Sequence, residues 1–388
     1  MTMPPPLRSA TPEAGARRSR LTVLQVLPGL DGGGVERGTV EVANALTGAG
    51  HRSIVMSAGG RMVSEMPDTE HVAWPIGEKR LATWGYVRRL TAFLESRRPD
   101  VLHARSRLPG WVAYLAWRRL PPELRPRFIT TVHGLYSVSR YSSVMARGEH
   151  VIAVSNAVRD YLLHHYRQWV APERITVIPR GVDTARYFPD FRPGEAWAAR
   201  WEAEYPTLRE KHLVTLPARL TRLKGHFDFI ELVARLRERG HDVHGLIVGG
   251  EDPRRARYAR SVRDAIGQRG LSSHLSMLGH RDDLREILSR SHVAVSLSAK
   301  PESFGRTVLE ALALGIPTIG YAHGGVGEIL ERLFPAGAVP PGDVAAAVAA
   351  VEHALAEPGP IARAPEYEIA QMLCATLRLY EQVVGHAV

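Results

Sequence analysis

Two glutamates with seven residues between them, Glu302 and Glu310, stand in "PESFGRTVLEALALGIP", just after the apolar run "HVAVSLSAK". A carboxylate accepts paired hydrogen bonds from vicinal hydroxyls. Acids near a helix start are also favoured by the helix dipole alone, so the pair has a bland reading beside the chemical one. In "ARLTRLKGH", Arg219 and Lys224 are five positions apart and could converge on one diphosphate, a planar fork beside a point charge. Two solvated cations is the competing reading. "GLDGGGVER" brings Gly33 and Gly34 to a helix start, where backbone N–H groups can approach a phosphate. Its spacing is not the dinucleotide G-x-G-x-x-G, and a tight turn explains it equally well. "VHGLY" offers His133, "IVGGED" offers Gly249 and Gly250 for a flat base or sugar, and "LGHRDDL" offers His280 and Arg281. In the last of these, Asp282 or Asp283 is expected to cap the next helix.

All these residues follow apolar runs, and the runs define the scaffold. "LTVLQVLP", "RSIVMSA", "PDVLHA", "RFITTVH", "HVIAVS" and "ITVIP" read as buried strands in the first half. "HLVTLP", "VHGLIVGG", "HLSMLG", "HVAVSLS" and "IPTIGY" repeat the pattern in the second. Helix-period stretches such as "VERGTVEVANALTGAG" and "GHFDFIELVARLRERG" lie between them. Strands alternating with helices predict α/β folding with parallel sheets covered on both faces. Ligands of such sheets bind outside the carboxyl ends of the strands, where the candidate residues lie.

The 388 residues, 45% apolar and 23% charged, suit two globular domains. A single cysteine, Cys374, excludes an intrachain disulfide framework and points to a reducing, cytoplasmic setting. The opening stretch "MTMPPPLRSATPEAGARRSR" lacks the apolar core of a signal peptide and is expected to be a disordered tail. Charge is uneven: residues 1–185 carry 25 Lys+Arg against 15 Asp+Glu, while 186–388 carry 25 of each. Arginine-rich codon usage accounts for only four lysines among the 50 basic residues, but not for this asymmetry. A basic first half predicts an anionic partner there.

Together the loops resemble the retaining glycosyltransferases of family 4. The resemblance rests on Arg219 and Lys224 in "RLTRLKG", "VGGE", "LGHRDDL", the Glu302…Glu310 element, "GGGVER", "HG" at 133–134, "VSNAVRD" and "VIPRGVDTARYFP", and it spans about 21–385. Ala218 stands where the family commonly has glycine, and Arg180 where it commonly has asparagine. The resemblance implies a GT-B fold, two Rossmann-like doubly wound parallel-sheet domains facing across a cleft. The expected divisions are a tail over 1–20, an acceptor-binding domain over 21–185, a linker over 186–210 and a nucleotide-sugar domain over 211–365. A terminal helix over 366–388 is expected to return towards the first domain.

By the same resemblance, Glu310 binds ribose hydroxyls, and Glu302 lies against the donor sugar at the reacting centre. Arg219 and Lys224 neutralise the departing diphosphate without a metal, and no cofactor is expected beyond the nucleotide-sugar substrate. Ser303, Phe304 and Gly305 present backbone N–H groups, and His133 reaches the sugar from the opposite domain. The front-face, retaining reaction needs cleft closure about a hinge near Gly181–Asp183. Arg105, Arg107 and Tyr136 are candidates for an anionic or lipid-linked glycan acceptor, such as a lipopolysaccharide or other surface polysaccharide. Peripheral contact with the cytoplasmic face of an inner membrane accompanies that expectation; "LPGWVAYLAWRRL" reads as a surface-docking helix or a core-packed one. Nucleic-acid binding explains the basic half but not the paired acids. An NAD-dependent oxidoreductase lacks its glycine signature. A glycoside phosphorylase and a non-catalytic nucleotide-sugar binder share most of these residues.

Overall fold

The computed structural model describes residues 20–252 and 255–385. The tail expected over 1–20 lies, Arg20 excepted, outside the described residues, as does 386–388 of the terminal segment. In the first half seven strands form one sheet: β1 (Thr22–Val26), β2 (Arg52–Ser57), β3 (Glu70–Ala73), β4 (Val101–Ala104), β5 (Arg127–Val132), β6 (His150–Ala153) and β7 (Ile175–Val177). Their order is β3-β2-β1-β4-β5-β6-β7, and every pairing is parallel. The second sheet holds β8 (His212–Pro217), β9 (Val243–Val248), β10 (Leu275–Gly279), β11 (Val293–Ser296), β12 (Thr318–Tyr321) and β13 (Ala338–Val339). Its order, β10-β9-β8-β11-β12-β13, is again wholly parallel. Strand order therefore reverses between β1 and β4 and between β8 and β11, the two places where such sheets open a crevice. β3 and β13 escaped the sequence pattern because both are short edge strands, four and two residues long.

Burial on both faces explains why the strands read as continuous apolar runs. One face of the first sheet presents Leu24, Ile54, Leu102 and Phe128 to the helices Tyr86–Arg97 and Arg107–Arg119. The other presents Val23, Val101, Ile129 and Ile152 to Val42 and Leu46 of the helix Gly34–Gly48, and to Met372, Leu379 and Tyr380 of the helix Ile369–Gly385. The terminal helix thus packs on the first sheet although it follows the second. The "LPGWVAYLAWRRL" helix buries Val112, Ala113 and Ala116 in this core. Among the described residues no helix is long and apolar enough to cross a membrane.

The chain crosses between domains twice, side by side. Val182 N–H donates to Tyr367 O at 2.8 Å and Ile369 N–H to Val182 O at 2.9 Å. The segment 186–210 is more than the expected linker. It contains the helix Glu195–Glu204, whose Trp197 and Trp201 stack at 5.3 Å. Trp201 is buried against Leu213, Leu246, Val248 and Ile287, which makes the segment part of the second domain's core.

Candidate functional site

At the β8/β11 reversal the chain brings a cation and a carboxylate together. The loop after β8 carries Lys224, and the loop after β11 carries Glu302; Lys224 Nζ donates to Glu302 Oε1 at 2.7 Å. Ser298 hydroxyl donates to the same oxygen. Both side chains of the pair remain about a quarter exposed (29% and 24%), so solvent and ligand can reach them. Arg219, at the end of the same strand, is exposed and makes no ion pair among the described residues. Two cations, one unpaired, thus stand at the mouth of the reversal.

Glu310 lies differently. Its helix, Arg306–Ala313, starts after Gly305, which caps it with a left-handed φ of 105°. Arg306, one turn earlier, donates from Nε to Glu310 Oε1 at 2.8 Å and from Nη2 to Glu41 Oε1 at 3.3 Å. Glu41 belongs to the helix Gly34–Gly48, so this ion pair crosses between domains. Burial pushes the Glu310 carboxyl up from its ordinary range, and Arg306 opposes that shift. Of the neighbouring loop residues, Ser303 uses its hydroxyl to donate to His133 O at 2.7 Å, again across the domains. Phe304 is buried and packs towards Tyr367, so its side chain serves the core. The amides of Ser303, Phe304 and Gly305 make no backbone hydrogen bond among the described residues.

A cleft of about 610 Å³ runs between the domains, bringing together Gly33, Arg219, Gly249, Gly250, His280 and Arg281. Gly34, at the helix start beside it, has open space where a Cβ would be. Gly249 has a packing reason to be glycine, because an added Cβ would come 2.0 Å from Ala218 O on the adjacent strand end. Arg281 corrects an expectation. Its fork is committed to Asp283, at 2.9 and 2.8 Å, so its side chain is not free for a nucleotide. Asp283 also accepts from Trp197 Nε1 at 2.7 Å and makes no capping bond to the helix Leu284–Arg290. Arg281 holds the Asp283 carboxyl down to about 2. His280 stays exposed, 3.3 Å from Asp282, which lies 3.5 Å from Arg61 of the first domain.

The first-domain wall departs further from expectation. His133 offers its backbone, not its ring, to the second domain. The ring lies against Arg180, with Nδ1 3.3 Å from Nη2, while Nε2 is buried without a partner. Burial, Arg180 and Arg105 hold its pKa well below the usual range, so the ring is neutral. The ring thus turns towards Arg180, and Nε2 is the atom left without a partner. Arg105 is only 3% exposed and donates to Gln25 Oε1 at 2.7 Å. It is an internal cation, not the exposed acceptor contact that its strand-end position predicted. Arg107 and Tyr136 do meet: the guanidinium lies 4.6 Å from the ring centroid and 5.4 Å from that of Tyr141.

Several residues escaped the sequence reading. Arg180, noted only as a departure from the family pattern, donates to Gly34 O at 2.6 Å and so holds the glycine turn from below. Gly38 permits this, since a Cβ there would lie 1.8 Å from Arg180 Nη1. A glycine inside a helix was the available signal. Glu328, from "HGGVGEIL", accepts from the N–H groups of Asn156 at 3.0 Å and Ala157 at 2.6 Å, capping a first-domain helix from the second domain. Among the described residues no group of three His, Cys, Asp or Glu is arranged to hold a metal ion.

Comparison with known proteins gives this geometry a lineage. The model of Glycosyltransferase Family 4 matches residues 32–186, and that of the Glycosyl transferases group 1 matches residues 199–371. The chain is 25% identical to N-acetyl-alpha-D-glucosaminyl L-malate synthase of Bacillus anthracis over 240 residues, 60% of this chain and 59% of the relative. It is 27% identical to D-inositol 3-phosphate glycosyltransferase of Stackebrandtia nassauensis over 246 residues, covering 58% and 54%. These matches span less than two thirds of either relative. The crystal structure of a glycosyltransferase from Rickettsia africae superposes with a TM-score of 0.82 at 26% identity, covering 95% of this chain and all (100%) of that one. Anabaena HepE, solved with UDP and glucose, shares the fold at 18% identity with a TM-score of 0.75, covering 94% and 100%.

Proposed function

The chain belongs to glycosyltransferase family 4, with the GT-B fold, and we propose that it transfers a sugar from a nucleotide-diphosphate donor to an anionic acceptor. One observation carries the reading: at the switch point of the second sheet, Lys224 contacts Glu302, and the unpaired Arg219 of the same loop lines the interdomain cleft. The reaction breaks the bond between the anomeric carbon and the diphosphate oxygen, and the electron pair leaves with the diphosphate. The acceptor hydroxyl forms the new bond on the same face, its proton passing to the departing phosphate, so configuration is retained. Arg219 and the free protons of Lys224 stabilise the charge that grows on the leaving group, in place of a divalent cation. Lys224 also orients Glu302, whose second oxygen is left for the sugar. Glu310 accepts from the ribose hydroxyls, and the amides of 303–305 face the sugar or the distal phosphate. His133 acts through its carbonyl, tethering the Ser303 loop to the first domain.

The acceptor side is the basic first half, where Arg107 stacked near Tyr136 and Tyr141 offers a cationic, aromatic wall. Two relatives with anionic groups in their printed names, L-malate and D-inositol 3-phosphate, support an anionic acceptor. A lipid-linked surface glycan at the cytoplasmic face of a membrane meets the same charge requirement.

Thermal-shift screening against UDP-, GDP- and ADP-sugars tests the reading. The true donor, at a hundredfold excess over its Kd, adds about 2.7 kcal/mol of stability. Transfer with that donor continues in excess EDTA. No shift with any nucleotide sugar overturns the function. Activity that stops with EDTA and returns with Mg2+ overturns the metal-free mechanism.

A further inference from the structure

Arg306 connects the two domains through the acid assigned to the ribose. It sits in the first turn of its helix, with Glu310 at 2.8 Å on one side and Glu41 of the opposite domain at 3.3 Å on the other. The carboxylates are 10% and 12% exposed, and both bond the Arg306 guanidinium where little water reaches them; Arg180 and Arg105 of the first domain also face Glu41. A lone carboxylate in such a place takes up a proton rather than remain charged. Burial raises the Glu310 pKa and Glu41 adds to the rise; Arg306 opposes both, with a smaller contribution from Arg186 near the crossing segment. Tyr187 also faces this group. Its phenol is pushed up to about 12, chiefly by burial and then by Glu310, and stays neutral at ordinary pH.

We infer that Arg306 is a positioning residue: anchored by Glu41 when the domains are together, it keeps Glu310 ionised and oriented to accept from the nucleotide's ribose. The inference rests on the reading of Glu310 as the ribose acid. The first domain then reaches the nucleotide site without touching the nucleotide. An open cleft separates Glu41 from Arg306 and loosens the ribose acceptor. Closure tightens it. Because such coupling is reciprocal, nucleotide occupancy must favour closure by the same factor.

Isothermal titration of the full chain with whichever of UDP, GDP and ADP binds, repeated across pH 6 to 8, provides the test. Wild type sets the reference profile, because the nucleotide's terminal phosphate itself ionises at about pH 6. Arg306→Met should lose affinity more steeply than wild type as pH falls, because its Glu310 takes up a proton at a higher pH. Arg306→Lys, which keeps the charge, should restore the wild-type profile. Glu41→Gln should bind a few-fold more weakly at every pH, because it removes the anchor without adding a proton to Glu310. A wild-type profile for Arg306→Met, or wild-type affinity for Glu41→Gln, overturns the inference. Glu310→Gln separates the underlying reading: it should bind weakly and with only the nucleotide's own pH dependence. Wild-type affinity in that variant removes the ribose assignment itself.

Discussion

The two ends of the segment 302–310 use the same chemistry in opposite surroundings. Glu302 pairs with Lys224 inside one domain, both side chains about a quarter exposed (24% and 29%). Glu310 pairs with Arg306, is 10% exposed, and is tied onward to Glu41 in the other domain. In water-rich surroundings an ion pair is worth little to stability and its members stay available to a ligand. In a buried pair, losing either partner leaves an uncompensated charge. The proposed roles follow that difference: Glu302 and Lys224 face the reacting groups, whereas Glu310 accepts from the ribose while Arg306 holds it in place.

The strongest way to break the open end is Lys224→Met. On the proposed mechanism it removes a cation from the leaving group, and it releases Glu302 as well. Turnover should fall about 10²–10³-fold, the cost of deleting one preorganised transition-state donor. The melting temperature should move less than turnover does, because the pair is only partly buried. Unchanged kcat would mean that the contact is only a surface ion pair.

The buried end can be tested through its support, the helix Gly34–Gly48 that carries Glu41. Gly38→Ala would stabilise an ordinary helix by about 1 kcal/mol. Here the new methyl meets Arg180 Nη1, and overpacking should destabilise the protein by about 1–3 kcal/mol. Chemical denaturation measures the sign directly. A stabilised variant would show that Arg180 can move aside freely.

The smallest effect belongs to a third pair, Arg281–Asp283, which is structural. The folded-state pKa of Asp283, about 2, lies below the ordinary value of 3.8, so its contribution is present above pH 4. It is lost as pH falls towards 2. The urea midpoints of wild type and Asp283→Asn should therefore differ at pH 5 and converge near pH 2. A difference that stays constant over that range would contradict the assignment.

Much of this architecture was legible because buried parallel strands leave continuous branched runs, and because such sheets concentrate ligands at strand ends. That logic brought Arg219, Lys224, Glu302, Gly249 and Gly250 into view. It could not tell which strand-end side chains turn inward. Arg105 and Arg107 stand two residues apart after the same strand, yet Gln25 draws one into the interior while the other stacks near Tyr136. The direction of the His133 ring was hidden for the same reason, since it lies against Arg180, 47 residues away. Arg281 and Asp283 looked like ligand and cap; a tryptophan on the helix Glu195–Glu204 makes them a fork and its acceptor. Contacts between domains, such as Glu328 on the helix start at Asn156, leave no local pattern at all.

The division between the two glutamates is tested most directly by titrating the free nucleoside diphosphate into Glu302→Gln and Glu310→Gln at one neutral pH, beside initial rates with the sugar donor. Glu310→Gln should lose about 1.5–3 kcal/mol of nucleotide affinity, one charge-assisted hydrogen bond's worth. Glu302→Gln should bind the nucleotide like wild type and show its deficit in kcat, because charge beside the reacting carbon counts most in the transition state. Equal loss of nucleotide affinity in both variants, or wild-type binding and turnover in both, would contradict the account.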